Sequence, residues 1–158
     1  MRGVRGLSLF QEYLGQPQAT AASFTADGWF RTGDRVDLLA DGSIRFGDRS
    51  KDMLKVGGEN VAASEIERVI AAVPGVRECA VVARKHRMLD EVPVVFVLAA
   101  AGAPADLSDR VAAACTAQLA DFKRPHEVRL VDELPRSTLE KIAKAQLRQA
   151  LAAEGPAS

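Results

Sequence analysis

The segment that decides how this chain is organised reads DRSKDMLKVGGEN and covers residues 48–60. It begins with charged residues, continues with apolar ones and ends in the pair Gly57-Gly58. Because glycine has no Cβ, this order predicts a strand end, a pivot and a loop whose backbone a thin ligand can approach closely. A second informative run, GWFRTGD at residues 28–34, lies one hairpin earlier. There Asp34 follows a glycine, where the backbone can turn sharply and present the carboxylate to a ligand.

Length and charge set the limits of what the chain can be. Its 158 residues are enough for one ordinary domain, or for a small domain that carries a piece of another. Lys plus Arg and Asp plus Glu both number 21, so the overall charge indicates neither nucleic acid nor an anionic membrane as a partner. No apolar run has the length of a signal peptide or a bilayer span. We therefore expect a cytoplasmic protein without a membrane span.

The residue types that commonly bind transition metals are scarce. Cys79 and Cys115 lie in apolar contexts without a metal-ligand spacing, and His86 and His126 are far apart in sequence. We interpret all four as structural or surface residues and predict no metal site.

The local patterns predict an α+β fold. Residues 36–46 read as two strands joined at Asp41-Gly42, the strongest short signal for a hairpin. Ser64 and Glu67 have the spacing of a capping box before an amphipathic helix that Pro74-Gly75 ends. Strands are predicted at 76–83, 92–100 and 127–131, and further helices at 107–119 and 141–151. The order predicts a small sheet of about three strands covered by helices and preceded by a two-stranded hairpin.

Three runs in order carry a resemblance to a known family: GWFRTGD, DRSKDMLKVGGEN and LPRSTLEK, the last at residues 134–141. With them, residues 4–151 resemble the AMP-forming acyl-CoA synthetases of the adenylate-forming ligase superfamily. The runs SKDM and GGENV are most similar to medium-chain, carnitine-type and alicyclic acyl-CoA ligases. The resemblance implies that residues 1–48 are a remnant of the large N-terminal adenylation domain with its linking hairpin. Residues 49–158 would then be the C-terminal lid domain.

The resemblance assigns Asp34 and Arg49 to the ribose of the adenylate and Lys51 to the hinge about which the lid rotates. An ionised carboxylate makes strong hydrogen bonds to hydroxyl groups, and a guanidinium offers paired donors. Simpler alternatives are a solvated turn aspartate, a surface arginine paired with Asp48 or Asp52, and a solvated lysine.

The resemblance also assigns Gly57 and Gly58 to the passage of the pantetheine arm of coenzyme A, with Lys55 meeting the adenylate phosphate after rotation. A plain tight turn is the alternative for the glycines. Lys141 falls on the adenylation lysine, whose ammonium would stabilise charge during attack on the α-phosphate. Its alternative is the solvated start of an amphipathic helix. Glu140 departs from the family, in which glycine usually precedes this lysine.

The implied activity is that of an acid–thiol ligase of fatty acid metabolism. A carboxylate, ATP and coenzyme A would form acyl-CoA, AMP and pyrophosphate through an acyl-adenylate. Residues 1–158 contain neither a phosphate loop nor the aromatic-Gly-x-Thr-Glu segment of the family, so we expect the magnesium ligands elsewhere and the chain alone to be inactive. Its expected partner is an N-terminal adenylation domain on the same or a separate chain.

A rival interpretation is a non-catalytic interaction module. Apolar residues near the N-terminus have no partner in a complete sheet or helical hairpin, and without a large domain they would expose an apolar surface or mediate homo-oligomerisation. These residues are Leu7, Leu9, Phe10 and Tyr13.

Overall fold

The computed structural model describes residues 3–157, and the side chains of all of these except 35, 37, 47, 48 and 50. The chain forms two compact units, Met1–Lys51 and Asp52–Ser158. The predicted division after residue 48, and the origin of the first part as a remnant of a larger domain, remain predictions.

The first unit consists of short strands and one helix. Its elements are β1 (Gly3–Val4), α1 (Pro17–Ser23), β2 (Phe30–Arg31), β3 (Asp34–Leu38) and β4 (Ile44–Arg49). The predicted hairpin is present, with β3 antiparallel to β4. Its turn has Gly42 at φ +82°, a left-handed conformation that glycine adopts without a steric cost, and the Gly42 amide donates to the Leu39 carbonyl at 3.0 Å.

An aromatic cluster holds the N-terminal half of this unit together. The ring of Phe10 packs against Tyr13, Phe24 and Phe30, with centroid distances of 4.8, 5.7 and 5.1 Å. β1 pairs antiparallel with β2. Two of the apolar residues that the sequence analysis leaves without a partner, Phe10 and Tyr13, therefore pack on each other, while Leu7 stays fully exposed.

The second unit is an α+β domain, as predicted. Its elements are β5 (Met53–Val56), β6 (Glu59–Ala62), α2 (Ala63–Ala71), β7 (Val76–His86), β8 (Asp90–Ala99), α3 (Leu107–Gln118), β9 (Glu127–Val131) and α4 (Lys144–Glu154). The sheet has the order β6-β5-β8-β7, with β9 also paired to β8. β8 and β9 run parallel, and the other pairs are antiparallel. The three predicted strands are present, and a hairpin of β5 and β6 extends the sheet to five.

Strands β7 and β8 are buried on both faces. Successive side chains of a strand point to opposite faces, so Val81 and Val95 join one core while Val82 and Val94 join the other. The first core contains side chains of α2 and α3, such as Ile66 and Val111, and the second contains Leu147 and Leu151 of α4. Helices therefore cover both faces of the sheet. None of the helices within residues 3–157 is long and apolar enough to cross a bilayer.

Two details of the predicted elements are wrong. α2 begins at Ala63 behind the N-cap residue Ala62, so Ser64 is not the cap of a capping box. The Glu67 carboxylate instead accepts a hydrogen bond from the Val81 amide at 2.7 Å and pairs with Lys144 at 2.7 Å. The last helix begins at Lys144, so Lys141 precedes it rather than starting it.

Candidate functional site

Asp34 and Arg49 lie opposite each other in the hairpin of the first unit. They are register partners across β3 and β4, and Arg49 Nε lies 3.8 Å from Asp34 Oδ1. Asp34 is 28% exposed and Arg49 55%. The arginine thus faces Asp34, whereas the alternative interpretation expected Asp48 or Asp52 as its partner. An exposed pair at this separation contributes little to stability.

Lys51 is the last residue of the first unit and lies in a short 3-10 helix, Ser50–Asp52. Its neighbour Asp52 is the first residue of the second unit, and the Asp52 carboxylate accepts a hydrogen bond from Arg148 of α4. The residue that follows the predicted hinge is therefore anchored within the second unit.

Gly57 and Gly58 form the two-residue turn between β5 and β6, called here the glycine turn (residues 56–59). Val56 and Glu59 are register partners, and the glycines have φ values of +57° and +89°. Two positive φ angles are what a tight hairpin of this length requires, so the turn accounts for both glycines without a ligand. A Cβ on Gly58 would meet nothing within 4 Å, so the space beside it is open. The alternative of a plain tight turn describes the geometry fully, and the role in ligand approach remains a prediction.

The last residue of the β7–β8 connection and the start of β8 hold the glycine turn through two hydrogen bonds. The Gly57 amide donates to the Leu89 carbonyl at 2.9 Å, and the Lys55 amide donates to Glu91 Oε2 at 2.9 Å. The Lys55 side chain itself is exposed. The sequence analysis missed Leu89 and Glu91, and no local signal could have identified Glu91, which is 36 residues away from Lys55.

Lys141 ends a second tight turn, called here the lysine turn (residues 137–141). The Ser137 amide donates to the Lys141 carbonyl at 2.7 Å and the Glu140 amide to the Ser137 carbonyl at 3.0 Å. Glu140 has φ +57°, in the left-handed region. A side chain is strained there, which is a physical reason for a glycine at this position. The Lys141 side chain is exposed.

Arg136 fastens the lysine turn to the sheet. Its guanidinium donates to Glu78 Oε1 of β7 at 2.7 Å and to the Glu140 carbonyl at 3.3 Å. The hydrogen bond from Arg136 lowers the pKa of Glu78, and the same bond raises the pKa of Arg136. The sequence analysis placed Arg136 within a motif but assigned it no role. Its partner is 58 residues away, so only the fold reveals the contact.

The two turns lie at opposite ends of the β7–β8 pair. The glycine turn is bonded to Leu89 beside the pair His86–Asp90, whereas Arg136 holds the lysine turn at Glu78, which pairs with Leu98. Leu98 lies eight positions after Asp90 on β8, a distance of about 26 Å along a strand. The lysine turn and the glycine turn are therefore held at opposite ends of β7 and β8.

The cysteines and histidines have structural surroundings. Burial raises the pKa of Cys79 to about 11 and also raises the pKa of Cys115, so neither thiol is an activated nucleophile at neutral pH. The rings of His86 and His126 pack edge to face at 5.6 Å. Within the described part of the chain, no group of three or more His, Cys, Asp and Glu residues could hold a metal ion.

Comparison with known proteins places this geometry in a family. Residues 65–141 match the model of the AMP-binding enzyme C-terminal domain. A 3-[(3aS,4S,7aS)-7a-methyl-1,5-dioxo-octahydro-1H-inden-4-yl]propanoyl:CoA ligase of Mycobacterium tuberculosis is 42% identical over 92% of the chain and 29% of its own length. A 4-chlorobenzoate–CoA ligase of an Arthrobacter species is 40% identical over 91% of the chain and 27% of its own length.

A solved structure agrees with these relatives. ATP-bound MatB from Rhodopseudomonas palustris superposes with a TM-score of 0.82 at 37% identity, over 92% of this chain and 29% of MatB. The chain thus spans less than a third of the length of these proteins. It belongs to the AMP-binding enzymes and corresponds to the C-terminal part of their acyl-CoA ligases.

Proposed function

We propose that this chain supplies two parts of an ATP-dependent, AMP-forming acyl-CoA synthetase: the adenylation lysine and the glycine turn, which coenzyme A approaches. Its substrates are a carboxylate, ATP and coenzyme A, and its products are acyl-CoA, AMP and pyrophosphate. The large domain that completes the active site is its partner. The resemblance to medium-chain, carnitine-type and alicyclic ligases within the family stays a prediction.

The separation of the two turns is the observation that carries this proposal. The β8 residues at which the two turns are held, Leu98 and Asp90, lie about 26 Å apart along the strand, so we expect that one active site cannot use both turns at once. A reaction of two half-reactions can use them in sequence if the second unit rotates. Lys141 then serves adenylate formation, and Lys55 with the glycine turn serves thioester formation.

Lys51 is the proposed pivot for this rotation. It lies at the junction between the compact units, and Asp52, directly after it, is tied to α4 by Arg148. A backbone rotation at one residue moves a rigid body only if the chain on its far side is fixed to that body. The Asp52–Arg148 contact supports this requirement.

Asp34 and Arg49 are proposed to hold the ribose of the nucleotide. They face each other at 3.8 Å and remain partly exposed, so a carboxylate acceptor and a guanidinium donor are available on one hairpin. Magnesium is expected to accompany ATP. The acidic residues among the described ones do not form a cluster that fits the ion.

A chimera tests the proposal. This chain would replace the matching 27% of the Arthrobacter 4-chlorobenzoate–CoA ligase. The chimera is expected to catalyse 4-chlorobenzoate-dependent pyrophosphate exchange and to release 4-chlorobenzoyl-CoA, whereas residues 1–158 alone should form neither product. A folded chimera that forms no acyl-adenylate and no acyl-CoA would refute the proposed function and favour the interaction module.

A further inference from the structure

We propose that Glu91 is a positioning residue for the glycine turn, whose carboxylate holds the Lys55 backbone so that coenzyme A meets the turn in one conformation. The inference rests on the proposed function of this turn in thioester formation. It adds a residue that touches neither coenzyme A nor the adenylate and acts through the main chain of β5.

Residues 89 and 91, on either side of the first residue of β8, each accept a hydrogen bond from an amide at the end of β5 or in the glycine turn. Val56 and Asp90 are register partners, the Lys55 amide donates to Glu91 Oε2 at 2.9 Å, and the Gly57 amide donates to the Leu89 carbonyl at 2.9 Å. Val56, which lies between Lys55 and Gly57, pairs with Asp90, which lies between Leu89 and Glu91, so both amides bond to the segment 89–91. A side-chain oxygen thus takes a place in a row of bonds that otherwise uses backbone carbonyls.

The Glu91 carboxylate is itself held in place. Its second oxygen lies 3.2 Å from the Lys85 ammonium, which also pairs with Asp90 at 3.0 Å. The hydrogen bonds that Lys85 donates to Asp90 and Glu91 raise the pKa of Lys85, which therefore stays cationic. The side chain of Glu91 is only 20% exposed. An ionised acceptor makes a shorter and stronger bond to an amide than a neutral one does, which suits the carboxylate to this task.

Gly57 and Gly58 depend on such outside contacts because they have no side chains to pack. Gly58 has open space around the position of a Cβ, and a Cβ on Gly57 would meet only Leu89 Cδ2, at 3.6 Å. Loss of the Glu91 carboxylate leaves the Lys55 amide to water and removes one of the two bonds. We expect the turn then to sample other positions, which weakens the coenzyme A step and leaves the adenylation step unchanged.

Amide hydrogen exchange measured by NMR on this chain tests the contact directly. In Glu91→Ala, exchange at the Lys55 amide should become about tenfold faster, as expected for loss of one hydrogen bond. Glu91→Gln keeps a carbonyl oxygen for the amide, so its exchange should stay within about threefold of the unsubstituted chain. Asp90→Asn is the matched neighbour, since asparagine tolerates the φ of +64° at this position. It should leave Lys55 exchange unchanged. Equal exchange at Lys55 in Glu91→Ala and the unsubstituted chain would overturn the proposal.

The chimera described above tests the consequence for catalysis. In Glu91→Ala, the KM for coenzyme A should rise about tenfold while the rate of pyrophosphate exchange stays constant. In Glu91→Gln, the KM should stay close to that of the parent chimera. An unchanged KM in Glu91→Ala, or an equal loss in both half-reactions, would overturn the positioning role while leaving the proposed function intact. A parent chimera that makes no acyl-CoA would refute the proposed function instead, and Lys55 exchange then decides the role of Glu91.

Lys85→Met covers the case in which Glu91→Ala does not fold. The Lys85 side chain is 69% exposed, so its replacement should preserve the fold while it frees the carboxylate. The KM for coenzyme A should then rise about threefold, in line with the small energies of exposed ion pairs. A KM equal to that of the parent chimera would count against the proposal.

Discussion

The glycine turn and the lysine turn meet the same geometric demand with different residues. Both are tight turns that require left-handed backbone conformations, which Gly57 and Gly58 supply in one and Glu140 in the other. The glycine turn is unstrained, and hydrogen bonds to Leu89 and Glu91 hold its backbone in place. The lysine turn contains a strained residue, and a guanidinium ties it to the sheet. The conformation of a turn can therefore be favoured by its own residues, as in the glycine turn, or imposed by a neighbouring side chain, as in the lysine turn.

Lys141→Ala in the chimera is the sharpest test of whether the two turns serve different steps. Adenylate formation, measured by pyrophosphate exchange, should fall by about two to three orders of magnitude, as expected for loss of one preorganised donor. Thioester formation from a preformed acyl-adenylate should change little. Lys144→Gln is the matched control, because the Lys144 ammonium is already engaged by Glu67. Equal loss of both half-reactions in Lys141→Ala would show that Lys141 is structural or that the units do not alternate.

Gly58→Val should give the opposite pattern. A β-branched side chain is strained at φ +89° and fills the open space beside the turn. We expect coenzyme A-dependent release of product to fall about 100-fold, the size of effect that a small misplacement of reacting groups produces. Pyrophosphate exchange should persist. Gly102→Val introduces a similar strain at φ +75° in another exposed turn. If it reduces product release as much as Gly58→Val does, general instability rather than the glycine turn explains the loss.

Arg136→Gln should release the lysine turn while leaving the glycine turn in place. It removes the hydrogen bonds to Glu78 and to the Glu140 carbonyl. Pyrophosphate exchange should fall about tenfold, consistent with loss of one or two hydrogen bonds that orient Lys141. The control is Arg110→Gln, which breaks the ion pair between Arg110 of α3 and Asp106 just before that helix. It should leave the rate of pyrophosphate exchange unchanged.

The contribution of the Arg136–Glu78 pair to the stability of the fold should depend on pH. Arg136 lowers the pKa of Glu78 in the folded chain, so the stability from this pair is fully present above the carboxyl's unfolded pKa and is lost as pH falls through the folded pKa. The difference in unfolding free energy between the chain and Arg136→Gln should therefore be constant above about pH 5 and shrink in more acidic solution. Urea titrations at several pH values measure it. A difference that grows toward acidic pH would contradict the assignment.

Glu140→Gly is expected to have the smallest effect, and a favourable one. Relief of the left-handed strain is worth about 1–2 kcal/mol, and the greater freedom of glycine in the unfolded chain offsets about 0.4–1 kcal/mol. The free energy of unfolding should rise by at most about 1.6 kcal/mol, seen as a higher urea midpoint. Glu140→Ala keeps the strain and should give no increase. An equal rise in both variants would mean that the carboxylate, rather than the backbone, carries the cost.

Local patterns predicted most of the secondary structure. The hairpin at Asp41-Gly42, the strands at 76–83, 92–100 and 127–131 and the helix at 107–119 follow from turn residues and apolar runs, which act over a few neighbours. The hairpin of β5 and β6 was missed because its strands are short and its glycines also fit a ligand loop. The predicted capping box is absent because the Glu67 carboxylate accepts a hydrogen bond from Val81 of β7 instead. Local sequence patterns cannot show this contact, since the two residues are 14 positions apart.

The sequence by itself determined the family, the order of the elements and the residues that carry the proposed chemistry, because motifs are local and their spacing survives in the chain. Only the tertiary structure decided how those residues are presented. It paired Asp34 with Arg49, set the glycine turn and the lysine turn at opposite ends of β7 and β8, and brought Glu91 to Lys55 and Glu78 to Arg136. These contacts join residues 15 to 58 positions apart. Burial of the two cores aligns the strands that bring Glu91 to Lys55 and Glu78 to Arg136, whereas the register of the β3–β4 hairpin sets Asp34 opposite Arg49.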